Sequence, residues 1–161
     1  MRKVVLIGPM AVGKTTVGRL LANELGWRFV DSDRQLYAAT GHSAREIAED
    51  LGVDGLHTME LEMLMDALTA EEPAVIAAAA SVIDDAHARD ELRTVDCVRL
   101  TADEDVLHTR MAGGLPRRGV AAGEDLARRA DLFAEVADVT VDTTRSDPAD
   151  CVKAVRAALG L

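Results

Sequence analysis

The fold is decided by the stretch Gly8-Pro9-Met10-Ala11-Val12-Gly13-Lys14-Thr15, which fits the phosphate-binding pattern G-x-x-x-x-G-K-[ST]. The apolar residues 4–7 before it predict a short buried strand, and the apolar spacing after it predicts a helix from Thr15 to Leu25. In this arrangement a phosphate group lies at a helix N-terminus, where unpaired N–H groups and the helix dipole favour anions. The stretch therefore predicts a nucleotide-binding protein.

Each loop position has a physical role in holding phosphates. Gly8 and Gly13 permit backbone angles that side chains disfavour, so that successive N–H groups can point at phosphate oxygens. Lys14 is expected to place its ammonium group on the outer phosphates, and Thr15 to offer its hydroxyl to Mg2+. We expect nucleotide contacts from Gly8, Ala11, Val12, Gly13, Lys14, Thr15 and Thr16.

The composition limits the classes of protein that the chain can belong to. Its 161 residues, 48% of them hydrophobic, predict one globular domain over 1–161, and with only 2% aromatics the core must be mostly aliphatic. A net charge of −10 argues against binding of nucleic acid through a basic surface. The chain has no apolar run of membrane-spanning length, and we expect a monomeric cytoplasmic protein with no membrane partner.

Cysteine and histidine give no sign of a metal centre. Cys97 and Cys151 lack metal or redox spacing, and we expect them to be ordinary, partly buried thiols. The four histidines do not recur at a metal-ligand spacing, so no structural metal is expected.

Predicted strands alternate with predicted helices along the whole chain, which favours an α/β fold with a parallel sheet covered on both faces. Asp31-Ser32-Asp33 follows the second predicted strand, 27–30, at the edge of the sheet where ligands gather. This acidic pair either serves the phosphate site or forms a solvated turn that caps the next helix. Further strands are predicted at 74–77, 95–100 and 137–142. Helices are predicted at 43–51, 55–70 and 84–92. Capping-box patterns at 43–46 and 101–104 predict that Ser43 and Thr101 cap the helices that follow them.

The segment 112–123 is rich in glycine and unusually basic for this acidic chain. Glycine at Gly113, Gly114 and Gly119 argues against regular structure. We expect a mobile lid, and an ordinary surface loop is the alternative.

Taken together, the phosphate loop, the acidic pair, the basic segment and the tail 136–143 resemble the shikimate kinase family over essentially the whole chain. That family transfers the γ-phosphoryl group of ATP to a hydroxyl of a small carbocyclic acid. The resemblance implies a nucleoside-monophosphate-kinase-like P-loop fold: a five-stranded parallel sheet with helices on both faces. It also implies a lid at about 112–123 and a substrate-binding helical segment at about 33–70.

The resemblance assigns roles to several residues around the phosphates. Thr15 ligates Mg2+ directly, and Asp31 holds the ion through water. Asp33 contacts the attacking hydroxyl as orienter or base, Arg117 steadies the transferring phosphoryl group, and these two residues with Lys14 form the catalytic set. Phosphoryl transfer depends mostly on such positioning and charge stabilisation.

Three further residues match family positions on the adenine and acceptor sides of the site. Arg110 and Pro148 align with the pair that sandwiches adenine, although Arg110 can instead be an ordinary solvent-facing helix residue. Arg129 aligns with the arginine that binds the acceptor carboxylate.

The acceptor side also departs from the family pattern. His57 replaces a second carboxylate-binding arginine, and imidazole has no bidentate fork. A three-glycine turn that lets the backbone approach the substrate closely is replaced by Ala78, Ala79 and Ala80, here called the alanine turn, where each Cβ fills space and raises the cost of any positive φ. In the phosphate loop, Ala11 replaces a common glycine, and we expect this change to be harmless. Two functions fit: a kinase of this family for a small hydroxylated molecule, with shikimate itself doubtful, or a nucleotide-binding protein that has lost transfer and acts by binding or regulation. A different small P-loop kinase, for a sugar acid or a nucleoside, is a more distant option.

Overall fold

A computed structural model describes residues 1–112 and 122–161 of the chain. Five strands form a parallel sheet, as predicted, and their order in the sheet is β2-β3-β1-β4-β5. The strands are β1 (Lys3–Ile7), β2 (Arg28–Asp31), β3 (Ala74–Ala77), β4 (Asp96–Thr101) and β5 (Val139–Asp142).

Helices connect the strands and lie on both sides of the sheet. A short 3₁₀ helix, Ala80–Asp84, follows β3 after two intervening residues. The α-helices are α1 (Lys14–Leu25), α2 (Ser32–Thr40), α3 (Ala44–Thr69), α4 (Ala86–Leu92), α5 (Glu104–Ala112), α6 (Ala122–Val136) and α7 (Pro148–Leu159).

The central strand β1 is buried on both faces, which explains the unbroken apolar run at residues 4–7. Val4 and Leu6 pack in one cluster with side chains of α1 and α7, and Val5 and Ile7 pack in the opposite cluster with α3 and α6. Each of these four side chains is at most 1% exposed. Burial of a side chain of this size stabilises the fold by about 1.5 to 3 kcal/mol, so β1 anchors the loop that follows it.

The segment between β2 and β3 forms a helical arm. Ser43 and Glu46 make the predicted capping box at the start of α3. Gly52 has φ 76° inside α3 and divides it, which confirms the predicted break between helices at 43–51 and 55–70. Leu36, Ile47 and Leu56 form a separate small core between α2 and α3.

Some predicted boundaries and burials were wrong. The helix expected from Asp84 is preceded by the 3₁₀ helix, and Thr101, expected to cap α5, is the last residue of β4. Cys97 and Cys151 are fully rather than partly buried. Burial, with a smaller effect of the Asp138 charge, raises the pKa of Cys97 to about 12, so this thiol stays protonated.

The predicted lid, 112–123, falls largely outside the described residues. Residue 112 ends α5 and residues 122–123 begin α6. The part of the chain that the structure describes contains no helix long and apolar enough to cross a lipid bilayer.

Candidate active site

The phosphate-binding loop connects β1 to α1 through three residues with positive φ. Gly8 has φ 144°, and a Cβ atom there would lie 2.5 Å from the Leu100 carbonyl oxygen, so only glycine fits. Gly13 has φ 111° and forms the N-cap of α1. Ala11 has φ 67°, where a side chain is disfavoured. The N–H groups at the start of α1 are thereby presented at one edge of the sheet.

The Lys14 ammonium group lies against the backbone of this loop. Its Nζ donates hydrogen bonds to the carbonyl oxygens of Gly8 at 2.7 Å and Pro9 at 2.9 Å. These contacts hold the ammonium group at the loop, where the pattern predicts phosphate. The local geometry therefore presents a positive charge beside the backbone N–H groups.

Thr15 and Asp31 are brought together although 16 residues separate them. The Thr15 hydroxyl donates to Asp31 Oδ2 at 2.6 Å, and Asp31 Oδ1 accepts from the Arg34 N–H at 3.3 Å. Asp31 thus caps α2, but it is only 6% exposed, so the expectation of a solvated turn is wrong for this residue. The contact with Thr15 places Asp31 at the phosphate loop, which is the other interpretation of the acidic pair.

A cleft of about 340 Å³ opens above the loop at the carboxyl ends of the strands. Asp31, Ser32 and Asp33 line one of its sides. The hydroxyl of Ser32 is buried and has no hydrogen-bond partner among the described residues, which is the state expected of a group that meets a ligand. Sequence reasoning did not single out Ser32. Its position between the two aspartates was the available signal.

The donor set in this cleft fits Mg2+. Mg2+ is commonly held by one or two protein oxygens together with phosphate oxygens and water. The Thr15 hydroxyl and the Asp31 carboxylate supply oxygen ligands beside the loop. No cluster of three or more His, Cys, Asp or Glu side chains able to hold a metal occurs among residues 1–112 and 122–161. The site therefore suits a phosphate-bound ion better than an all-protein metal cage.

The predicted adenine pair lies on the other side of the loop. Arg110 and Pro148 line a second cleft of about 260 Å³, which also contains Thr16 and Thr143. Arg110 is exposed, and its guanidinium donates to the carbonyl oxygens of Val12 at 3.2 Å and Thr143 at 2.9 Å. The structure thus brings the predicted pair together. Arg110 also connects the phosphate loop to the residue that follows β5.

The alanine turn lines the first cleft from the β3 side. Ala79 has φ −62°, and Ala11 is the non-glycine residue with positive φ in the described part of the chain. Ala78, Ala79 and Ala80 therefore adopt ordinary backbone angles, and the expected conformational cost of these alanines is absent. Their methyl groups nevertheless occupy space in the cleft.

His57 and Arg129 do not line that cleft, and Arg129 is engaged elsewhere. The Arg129 guanidinium donates to Asp84 Oδ2 from Nη2 at 2.7 Å and from Nε at 3.1 Å. Arg128 donates to the other oxygen of Asp84 at 2.9 Å. Burial opposes ionisation of Asp84, but these hydrogen bonds outweigh it and hold the pKa of Asp84 below its ordinary value.

Glu60 is a buried residue that the sequence analysis left without a role. It is 1% exposed and lies one helical turn after His57. Its carboxylate accepts a hydrogen bond from the Ser81 hydroxyl, directly after the alanine turn. This contact ties the helix that carries His57 to the turn that lines the cleft.

We expect Ser81→Ala to lower the free energy of unfolding by about 1 to 3 kcal/mol, because it removes a donor from a buried carboxylate. Thr58→Ala is the matched control, since Thr58 is exposed on the same helix and donates only to Asp54 O. The control is expected to stay within about 0.5 kcal/mol of the parent. Urea denaturation measures both, and equal stabilities for the two variants would contradict the prediction.

Comparisons with known proteins identify the family of this chain. The family model described as shikimate kinase matches residues 10–159. Curated shikimate kinases from Symbiobacterium thermophilum and Streptomyces coelicolor are 32% and 34% identical, covering 92% and 98% of this chain and 91% and 95% of their own. A solved shikimate kinase from Acinetobacter baumannii in complex with shikimate has a TM-score of 0.88 at 28% identity, covering 99% of this chain and 94% of its own.

Proposed function

Because the chain belongs to the shikimate kinase family, we propose that it transfers the γ-phosphoryl group of Mg-ATP to a hydroxyl of a small polar acceptor. The enzyme class is that of phosphotransferases with an alcohol group as acceptor. The observation that carries the proposal is the Thr15–Asp31 contact beside a phosphate loop that opens into a cleft. The proposed unit is one domain over 1–161, with the acceptor segment at about 33–70 and the lid at about 112–123.

The proposed reaction uses groups that line this cleft together with one residue of the lid. The acceptor oxygen forms a bond to the γ-phosphorus while the bond to the β,γ-bridging oxygen of ATP breaks. Asp33 orients the hydroxyl and takes its proton, and Lys14 stabilises charge on the phosphate oxygens. Bound Mg2+, held by Thr15 and through water by Asp31, supplies further positive charge to these oxygens. Arg117, which lies outside the described residues, is proposed to add charge from the lid.

The acceptor is proposed to differ from shikimate. Shikimate is the molecule bound to the Acinetobacter baumannii protein, and it is the default expectation for a relative. In this chain His57 replaces an arginine, and the methyl groups of Ala78, Ala79 and Ala80 line the cleft. These changes lie on the acceptor side, whereas the phosphate loop is complete.

We expect an ATP-consumption screen over shikimate, uncharged cyclitols, sugar acids and nucleosides to find at least one accepted hydroxyl compound. Asp33→Asn serves as the inactive control. We expect its rate to be about a hundredfold or more below that of the parent, because general-base catalysis contributes about that factor. Asp50→Asn, on the exposed face of α3, controls for the change in net charge. If ADP binds but no compound is phosphorylated above the inactive control, the proposal fails and a nucleotide-binding protein without transfer remains.

A further inference from the structure

The arginine that the family pattern assigns to the acceptor carboxylate already holds a carboxylate from the same chain. Arg129 is 15% exposed at its side chain and presents Nε and Nη2 to Asp84. Both nitrogens contact Oδ2 of Asp84, and Nε also lies 3.3 Å from Oδ1, so the guanidinium and the carboxylate are joined by charge-assisted hydrogen bonds, which are stronger than neutral ones. Asp84 follows the alanine turn by four residues, at the end of the 3₁₀ helix.

We propose that Asp84 is a specificity-determining residue: it satisfies Arg129 from within the chain, and the acceptor is therefore an uncharged polyol and not a carboxylic acid. The inference rests on the proposed kinase function and restricts the chemical class of its acceptor to uncharged polyols. An incoming carboxylate must displace Asp84 from Arg129 or accept poorer geometry. Either alternative costs a charge-assisted contact, whereas an uncharged polyol meets no such competition.

The surrounding charges act in the same direction. Asp84 is an anion at neutral pH like any ordinary aspartate, and although burial opposes its ionisation, hydrogen bonds from Arg129 and Arg128 lower its pKa further. Two further carboxylates, Asp31 and Asp33, line the phosphate cleft, and the chain carries a net charge of −10. Where the family pattern has a second arginine, His57 offers no bidentate partner. Among the described residues on the acceptor side, the arginine that would meet a negative acceptor group is therefore already paired with Asp84, while hydroxyl groups can donate hydrogen bonds to the carboxylates of the cleft.

The test compares shikimate with methyl shikimate, its ester, which has the same ring and hydroxyl groups without the negative charge. Dissociation constants are measured by calorimetry with saturating ADP for the parent, Asp84→Asn and Asp84→Asn/Arg129→Ala. Asp90→Asn is the control for the change in net charge, because Asp90 forms a more exposed ion pair with Arg93 that involves neither Asp84 nor Arg129. Circular dichroism establishes that each variant is folded.

In the parent we expect the ester to bind at least as tightly as shikimate. Asp84→Asn should tighten shikimate binding about tenfold to a hundredfold and leave the ester within about twofold. The gain should vanish in Asp84→Asn/Arg129→Ala and be absent in Asp90→Asn. A folded Asp84→Asn that binds shikimate no better than the parent overturns the inference, as does a parent that binds shikimate more than tenfold tighter than the ester. Since binding is measured without turnover, failure of the kinase proposal in the screen remains a separate result.

Discussion

Replacing Lys14 with methionine is expected to lower the rate of phosphoryl transfer about a hundredfold to a thousandfold, as loss of one preorganised charge at a transition state typically does. Methionine keeps the length of the side chain and removes its charge. The same change should weaken ADP binding by about 1.5 to 3 kcal/mol, because a charge-assisted contact with phosphate is lost. Steady-state kinetics and calorimetry give the two effects separately.

Two further variants test whether the effect of Lys14→Met comes from loss of the positive charge at this position. Lys153→Met removes the same charge from an exposed position on α7 and should leave both quantities within about twofold. Lys14 also holds the carbonyl groups of Gly8 and Pro9, so Lys14→Met can alter the loop itself. Lys14→Arg retains charge and donors and should recover part of the ADP affinity. Transfer by Lys14→Met within threefold of the parent rate would show that the loop does not serve catalysis.

The nucleotide half of the candidate site was predictable because its residues are close in sequence or at strand ends. The phosphate loop, its flanking strand and its helix follow from local pattern, and the rule that ligands gather at carboxyl ends of strands placed Asp31 beside Thr15. The break at Gly52 was predictable for the same reason, since glycine accepts the left-handed angle found there.

The acceptor half was not predictable from the same information. The Asp84–Arg129 pair joins residues 45 positions apart, and no local pattern indicates which of many acidic residues meets a given arginine. Glu60 interrupts an apolar face, and its burial follows only from its partner Ser81 on the adjoining 3₁₀ helix. The alanine turn was expected to be costly by analogy with glycine, but the 3₁₀ helix gives these residues ordinary angles instead. Tertiary contacts decided each of these cases.

Ala11 is the reverse case, in which the substitution is less neutral than expected. Replacement of a common loop glycine by alanine looked harmless in the sequence, yet Ala11 adopts φ 67°. A side chain at that angle costs on the order of 1 kcal/mol. The loop accepts this strain because Val12 beside it is fully buried and Thr143 donates to the Val12 carbonyl oxygen at 2.7 Å.

The unmodified protein is expected to phosphorylate shikimate with a kcat/KM well below about 10⁴ M⁻¹s⁻¹, the lower end of the ordinary enzyme range. Each lost charge-assisted partner of the carboxylate costs about 1.5 to 3 kcal/mol, which is about tenfold to a hundredfold in affinity. His57 removes one such partner, and Asp84 occupies the other, Arg129. The methyl groups of the alanine turn add steric exclusion within the cleft.

Restoring the missing contacts separates these causes. His57→Arg together with glycine at Ala78, Ala79 and Ala80 should raise any trace activity towards shikimate, and adding Asp84→Asn should raise it further because Arg129 is released. His87→Arg, at an exposed position on α4, is the control for an added positive charge and should change nothing. The alanine turn already has relaxed backbone angles, so glycine there acts only by opening space, and we expect the larger gain from the two charge changes. If the parent already turns over shikimate at 10⁴ M⁻¹s⁻¹ or faster, the Asp84–Arg129 pair must open on substrate binding at little cost, and the ordinary family activity stands.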